Sequence, residues 1–216
     1  KKTEKSIYDL ITFCARLGGV YESRGGREDL EKAGELYRRC LKTVERFAEE
    51  QGSARSLRHL LISHESLGRV YESLGGRENL KKAAEQYRQS LQTAEIMAEE
   101  LKTEESLKTL STSYEKLGRL YEILGGRENL EKAECLLRRS LEIRQRLTEE
   151  KWTRENFRIL GISCEQLAGI YEAWGDRENL EKAEKLYRKS LEIRQRLSEE
   201  QGTGENLREL SVSCIR

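Results

Sequence analysis

The sequence predicts an all-α protein, an α-solenoid of antiparallel helix-turn-helix repeats, and three observations carry this prediction. The first is self-similarity at a fixed period of 50 residues, without insertions between copies. The second is an apolar residue at every third or fourth position, which is the spacing of one buried helix face. The third is composition, because the chain lacks proline and is rich in Ala, Leu, Glu, Lys, Arg and Gln.

The repeat is plainest in the second half of the chain. Residues 127–150 read RENLEKAECLLRRSLEIRQRLTEE, and residues 177–200 read RENLEKAEKLYRKSLEIRQRLSEE. The earlier copies keep the same frame. We therefore predict a single domain over residues 1–216, made of four repeats and a partial fifth: 1–50, 51–100, 101–150, 151–200 and 201–216.

The first part of each repeat predicts a helix, here called helix A. In the third repeat its apolar face consists of Leu107, Leu110, Tyr114, Leu117, Leu120 and Tyr121. Hydroxyl side chains that can cap the first turn mark its start at Ser53, Thr103, Thr153 and Thr203. Glycines that favour a left-handed cap mark its end at Gly25, Gly75, Gly125 and Gly175.

A second helix, helix B, follows a short turn and runs to about Glu150 in the third repeat. Its apolar face there consists of Leu130, Ala133, Leu137, Leu141 and Leu147. Side chains that can cap it are Asp29, Asn79, Asn129 and Asn179, unless the preceding Arg and Glu already lie in its first turn. Short connections make the two helices antiparallel.

Small residues predict a close approach between helices A and B. One position of helix A holds a small residue in all four repeats, namely Gly18, Gly68, Gly118 and Ala168. We expect them to face the alanines on helix B: Ala33, Ala83, Ala133 and Ala183.

The repeat resembles the tetratricopeptide family over essentially the whole chain. The third repeat carries the family pattern at Tyr114, Leu117, Gly118, Tyr121, Gly125, Ala133, Leu137 and Ser140. The family unit has about 34 residues and usually a proline after helix B, so this chain is similar to an extended variant. The resemblance implies a right-handed superhelix whose concave wall is lined by helices A.

Charge and hydropathy exclude two classes of partner. The net charge is only +1 although 37% of the residues are charged, whereas nucleic-acid binders concentrate Lys and Arg on one surface. No window approaches 18 consecutive apolar residues, so we expect no membrane span. The sequence therefore predicts a soluble, cytoplasmic protein.

Candidate chemistry is sparse, and we expect neither an enzyme nor a metal or cofactor site. Five cysteines, an odd number, argue against a disulfide framework. His59 and His64 diverge by about 140° around a helix, which prevents shared metal binding. Cys14 and His64 occupy equivalent positions on neighbouring helices A, so a Cys-dependent enzyme is an alternative interpretation. The position is a core-packing one in every repeat, however, which favours a structural role.

The resemblance implies a partner-binding wall on helices A. Its members are Glu22, Ile62, Glu65, Arg69, Glu72, Thr112, Glu115, Arg119, Glu122, Ile162, Glu165 and Glu172. An acidic column recurs within it at Glu22, Glu72, Glu122 and Glu172 and predicts attraction for a basic segment. In the alternative, Glu65 with Arg69 and Glu115 with Arg119 simply pair along their helices.

Two functions follow from these observations. The leading prediction is a scaffold that binds a protein, peptide or partner helix, possibly as the recognition part of a larger protein. The alternative is a structural solenoid that forms homo-oligomers by stacking end to end. It rests on Ile7, Leu10 and Ile11, which the first helix A would expose because no helix B precedes it.

Overall fold

The computed structural model describes residues 4–199, and every regular element in that range is α-helical. The helices are α1 (Glu4–Arg24), α2 (Arg27–Gln51), α3 (Ala54–Leu74), α4 (Gly76–Leu101), α5 (Glu104–Leu124), α6 (Arg127–Glu150), α7 (Arg154–Trp174) and α8 (Arg177–Glu199). Odd-numbered helices correspond to helix A and even-numbered helices to helix B. The predicted cap Thr203 and the partial fifth repeat lie outside the described residues.

The chain divides into two compact units, with the boundary between Ser106 and Leu107 in the first turn of α5. Unit 1 comprises residues 1–106 and unit 2 residues 107–216. The single domain over the whole chain stays a prediction. Between residues 4 and 199, no helix is both long enough and apolar enough to cross a membrane.

The predicted starts of helix A are confirmed wherever the structure describes them. The hydroxyl oxygens of Ser53, Thr103 and Thr153 each accept a hydrogen bond from the backbone N–H three residues later, at 3.1–3.2 Å. The predicted ends are confirmed as well. Gly75 and Gly175 follow α3 and α7 with φ of 65° and 73°, a region that glycine enters without steric cost.

Of the two predicted starts of helix B, the structure confirms the one in which the preceding Arg and Glu already lie in its first turn. Helix B begins two or three residues before the Asp or Asn, so this side chain lies inside the first turn. From there Asn129 Nδ2 donates to the carbonyl oxygen of Gly125 at 2.7 Å and stabilises the turn instead. The fourth repeat has an acid where the others have a second glycine, and Asp176 Oδ1 accepts the backbone N–H of Asn179 at 3.0 Å.

In unit 1, α2 is packed between α1 and α3. One cluster joins α1 to α2 through Tyr8, Ile11, Cys14, Cys40, Val44 and Phe47. A second joins α2 to α3 through Ala33, Tyr37, Leu41, Leu67 and Val70. Helix B therefore presents one face to the helix A of its own repeat and another to the next helix A.

The small residues on helix A allow a close approach to helix B, and at Gly18 and Gly118 the nearest atoms belong to the side chain one turn beyond the predicted alanine. A Cβ added at Gly18 would lie 2.3 Å from the Tyr37 ring, and one at Gly118 would lie 3.0 Å from Leu137 Cγ. The side chain one turn beyond each alanine fills the space. The carbonyl oxygen of Ala133 lies 3.5 Å from the position of the Cβ at Gly118, so helix A does approach helix B beside this alanine.

Candidate interaction surfaces

The first glutamate of the acidic column is bound inside unit 1. Tyr37 donates its hydroxyl to Glu22 at 2.6 Å, and Arg69 donates from Nε and Nη2 to the two carboxylate oxygens at 2.7 and 3.1 Å. Burial alone would raise the pKa of Glu22, but the hydrogen bonds from Arg69 and Tyr37 outweigh it and lower that pKa. Arg69 thus links two successive helices A through Glu22.

The same Glu–Tyr pair recurs in two other repeats. Tyr87 donates to Glu72 at 2.7 Å, and Tyr187 donates to Glu172 at 2.9 Å. In each pair the tyrosine lies 15 residues after the glutamate, across the turn between helices A and B. Three of the four glutamates in the acidic column therefore hold a hydroxyl group of their own hairpin.

Glu122 is the exception in the acidic column. The residue 15 positions later is Leu137, which has no hydroxyl group. The position that corresponds to Arg69 is Gly169, and a Cβ there would lie 4.0 Å from Glu122 Oε1. Glu122 is exposed, unlike Glu22 and Glu72.

A second polar network lies between the helices of unit 2. Glu115 Oε1 accepts hydrogen bonds from the hydroxyls of Ser140 and Ser163 at 2.8 and 2.9 Å. Arg144 Nε lies 3.7 Å from the same oxygen, and Arg144 Nη2 donates to Thr112 Oγ1 at 2.8 Å. Burial lowers the pKa of Arg144 despite the opposing effect of Glu115, and the residue is 5% exposed.

The fourth repeat contains a more exposed version of this network. Glu165 accepts two hydrogen bonds from Arg194, both at 2.9 Å, and one from Ser190 at 2.7 Å. The side chains of Arg194 and Glu165 are 16% and 22% exposed.

Most of the predicted partner-binding positions thus make contacts within the chain. Residues in the networks above are Glu22, Arg69, Glu72, Thr112, Glu115, Glu165 and Glu172. Glu65 also has an interaction partner, and Ile162 is half-buried. Ile62, Arg119 and Glu122 are exposed. Partner binding at these positions stays a prediction.

The cysteine and histidine of the alternative enzyme hypothesis have different neighbours. Cys14 packs with Cys40 in the core of unit 1, and burial together with the Cys14 thiol raises the pKa of Cys40 to about 12. His64 Nδ1 lies 3.0 Å from Gln86 Oε1. Within residues 4–199, no group of three or more His, Cys, Asp or Glu side chains is placed to hold a metal ion.

An apolar stripe runs along the outer face of α1. Its members are Leu10, Phe13, Leu17 and Val20, which are 38%, 70%, 47% and 48% exposed. We call it the α1 stripe. The predicted exposure is confirmed for Leu10. It is wrong for Ile11, which is 5% exposed and packs in the core, and Ile7 is half-buried against the same cluster. Apolar residues recur every three or four positions on both faces of α1, so the sequence pattern does not indicate which face packs against α2.

The α1 stripe is the counterpart of a buried face on α3. Fifty residues later the same frame holds Leu60, Ser63, Leu67 and Val70. Leu67 and Val70 are 2% and 0% exposed and pack against α2. The α1 stripe therefore occupies the positions on α1 that, on α3, pack against the preceding helix B.

A second apolar surface lies on α8. A cavity of about 350 Å³ there is lined by Glu172, Leu180, Ala183, Glu184, Tyr187, Arg188 and Leu191. Leu180 is 45% exposed. The apolar members correspond to the α2 residues that pack against or lie beside α3: Leu30, Ala33, Tyr37 and Leu41. We call residues 180–191 the α8 face.

The fold is similar to that of designed helical repeat proteins. The DHF58 filament matches with a TM-score of 0.54 and 20% identity, over 89% of this chain and 94% of that one. The crystal structure of the de novo designed helical repeat protein DHR64 matches with a TM-score of 0.53 and 20% identity, over 90% and 96% of the two chains. The DHF38 filament gives 0.52 and 19%, over 91% and 95%.

These similarities confirm the predicted fold class, an all-α solenoid of helical repeats. At this level of identity they show the fold alone. No protein-family profile and no curated protein sequence matches the chain.

Proposed function

We propose that this chain is a structural repeat protein that associates end to end with further copies of itself. The observation that carries the proposal is the α1 stripe, whose four large apolar side chains are 38–70% exposed on one helix face. Contiguous apolar surface of this kind typically marks an interaction site. Two proteins of similar fold are named as filaments, and their assembly supports the same role here by analogy.

We also propose that the repeat is an extended form of the tetratricopeptide repeat and that the protein has no catalytic role. The antiparallel hairpin, the glycine turn after helix A and the close contact at Gly18 support an extended member of that class. Burial raises the pKa of the Cys40 and Cys164 thiols, which supports packing rather than nucleophilic roles. Free thiols at both positions suit the reducing cytoplasm.

Sedimentation velocity over a wide concentration series tests the proposal. We expect the weight-average sedimentation coefficient of the wild-type chain to rise with concentration. The variant Phe13→Glu with Leu17→Lys should stay monomeric at every concentration, because it places charge on the α1 stripe. Ile96→Glu is the matched control, since Ile96 is an exposed apolar residue on α4, and it should behave like wild type. A wild-type chain that is monomeric throughout contradicts the proposal.

Binding of a basic peptide at the acidic column is the second candidate function, and Glu122 favours it. Its carboxylate is exposed because Leu137 and Gly169 replace the tyrosine and arginine that bind Glu22. An arginine from a partner could supply the missing fork of hydrogen bonds. Fluorescence anisotropy of a labelled arginine-rich peptide should show salt-sensitive binding. Glu122→Lys should abolish it, and unchanged affinity in this variant would exclude the site.

A further inference from the structure

We propose that Cys14 and Cys40 are a redox pair, which a small disulfide oxidises to a Cys14–Cys40 bond that joins α1 to α2 and holds the first hairpin closed. Both thiols are free in the structure. They belong to one buried cluster, with exposures of 7% and 5%. Neither residue is part of the α1 stripe, so the pair does not depend on self-association.

Contacts on either side of the pair fix the alignment of α1 with α2. Gly18 lies against Tyr37, because a Cβ added at Gly18 would be 2.3 Å from the tyrosine ring. Nearer the start of α1, the rings of Tyr8 and Phe47 meet at a centroid distance of 5.4 Å. The two helices are antiparallel, so the part of α1 between these contacts faces the part of α2 between them.

Cys14 and Cys40 lie between those two contacts and on the same helix faces. Cys14 is four residues before Gly18, and Cys40 is three residues after Tyr37, so each is one helical turn from the close contact. Gly18 brings the two backbones together there, as a disulfide requires, since it joins Cα atoms only about 4.4–6.8 Å apart. Burial raises the pKa of Cys40 to about 12, and the neighbouring Cys14 thiol adds to the effect.

The third repeat shows that side chains at this level do join helix A to helix B. The position of Cys40 is Ser140 there, and Ser140 donates its hydroxyl to Glu115 at 2.8 Å. The first repeat has Ala15 in place of that glutamate, so the hydroxyl–carboxylate bond has no counterpart. It is also the one repeat of the four with cysteine at both positions of the pair. A thiol pair therefore occupies the place of a polar bond between the helices.

The oxidant is a small disulfide, here glutathione disulfide. The thiolate of one cysteine attacks a sulfur of the oxidant, breaks its S–S bond and releases one glutathione, which takes up a proton. The thiolate of the other cysteine then attacks the mixed disulfide, forms the Cys14–Cys40 bond and releases the second glutathione. The protein loses two electrons and two protons, and the oxidant gains them. Because burial disfavours the Cys40 thiolate, the exchange is slow until α1 separates transiently from α2.

Equilibration of the full chain with a mixture of glutathione and glutathione disulfide tests the pair. One sample is oxidised as the folded chain, and another is oxidised during refolding from urea, so that slow access to buried thiols cannot hide the reaction. Peptide mapping by mass spectrometry without reduction should find Cys14–Cys40 as the dominant disulfide, and dithiothreitol should reverse it. If both samples keep these thiols free, or if another cysteine pair dominates, the redox pair is overturned.

Cys40→Ser is the matched control, because the other three repeats have serine at this position. The variant should fold, and Cys14 should stay a free thiol in the same buffer. In wild type, the disulfide should slow hydrogen exchange of the α1 amides about 30- to 1,000-fold, since a cross-link restrains the opened chain. Exchange rates in α1 that are equal in the oxidised and reduced chains would show that the bond does not hold the hairpin closed.

Discussion

Units 1 and 2 share one frame but fill the same buried position with opposite chemistry. In unit 1 the position holds Val44 and Ala94, both 0% exposed. In unit 2 it holds Arg144 and Arg194, each paired with a glutamate on the helix A of its own repeat. The hairpin therefore does not depend on the polarity of this position.

Arg144 and Arg194 are tolerated at this position because each is paired with a glutamate. Burying a charge costs several kcal/mol, and a paired glutamate offsets that cost only while both groups are present. The first repeat has Ala15 where the third has Glu115, so glutamate and arginine are both absent there. The apolar pair Ala15–Val44 and the ion pair Glu115–Arg144 thus fill equivalent positions in the hairpin. Substituting one pair for the other tests whether they are interchangeable.

The largest expected effect is that of Glu115→Ala. It leaves Arg144 buried without its counter-charge and removes the acceptor for Ser140 and Ser163, so unit 2 should lose about 3–5 kcal/mol of unfolding free energy. Urea unfolding followed by tryptophan fluorescence measures unit 2 selectively, because the two tryptophans are Trp152 and Trp174.

The matched control for this prediction transfers the chemistry of the first repeat. Glu115→Ala with Arg144→Val should recover most of the lost stability, since the pair then equals Ala15 and Val44. If the double variant is as unstable as Glu115→Ala alone, the two solutions are not interchangeable and the comparison fails.

A smaller effect is expected for Glu165→Ala in the fourth repeat. The variant removes two hydrogen bonds from Arg194, but that side chain is 16% exposed and can turn toward water. We expect a loss of about 1.5–3 kcal/mol, measured by the same unfolding experiment. A loss equal to or above that of Glu115→Ala would show that burial does not set the cost.

The units also differ at the carboxylates Glu22 and Glu122, and Gly169 tests that difference. Gly169→Ala should stabilise unit 2 by about 0.5–1 kcal/mol, because glycine weakens a helix interior and a Cβ has room there. Gly169→Arg should add about 0.2–1 kcal/mol more by pairing with Glu122, as Arg69 pairs with Glu22. The additional gain should vanish in high salt. An arginine variant no more stable than the alanine variant would show that the pairing geometry is not reproduced.

The acid dependence of unit 1 is a finer test. Since folding lowers the pKa of Glu22 below its usual 4.5, Glu22 stabilises the folded state above that pH. The contribution is lost as the pH falls through the lower, folded-state pKa. Thermal unfolding should therefore show wild type more stable than Glu22→Gln at neutral pH, with the difference shrinking in acid. A difference that is constant with pH would exclude this role for the carboxylate.

The frame, the helices and their hydroxyl caps could be predicted from sequence because each depends on local chemistry. Ser53 and Gly75 act within one turn of the chain, so their residue types suffice. The start of helix B stayed open between two positions, because Asn129 can bond the chain either as a cap or from within the first turn, and both uses suit the same residue.

The functional surfaces were harder to predict because they depend on contacts between helices. Glu22 and Tyr37 lie on different helices, and only their constant 15-residue separation hints that they meet. Ile11 and Phe13 are both apolar residues of α1, but only packing decides that Ile11 is buried and Phe13 exposed. The acidic column could therefore be predicted from the sequence, but the tyrosine hydroxyls and the arginine that bind its glutamates could not.

The connections after α2 and α4 place different residue types in the left-handed conformation. Gly52 and Lys102 both adopt the left-handed conformation, with φ of 54° and 49°, and Lys102 is the one residue other than glycine to do so between residues 4 and 199. A side chain costs about 1–2 kcal/mol in that conformation. The amide protons of the last turn of α4 should therefore exchange with deuterium sooner than those of α2, and Lys102→Gly should slow them.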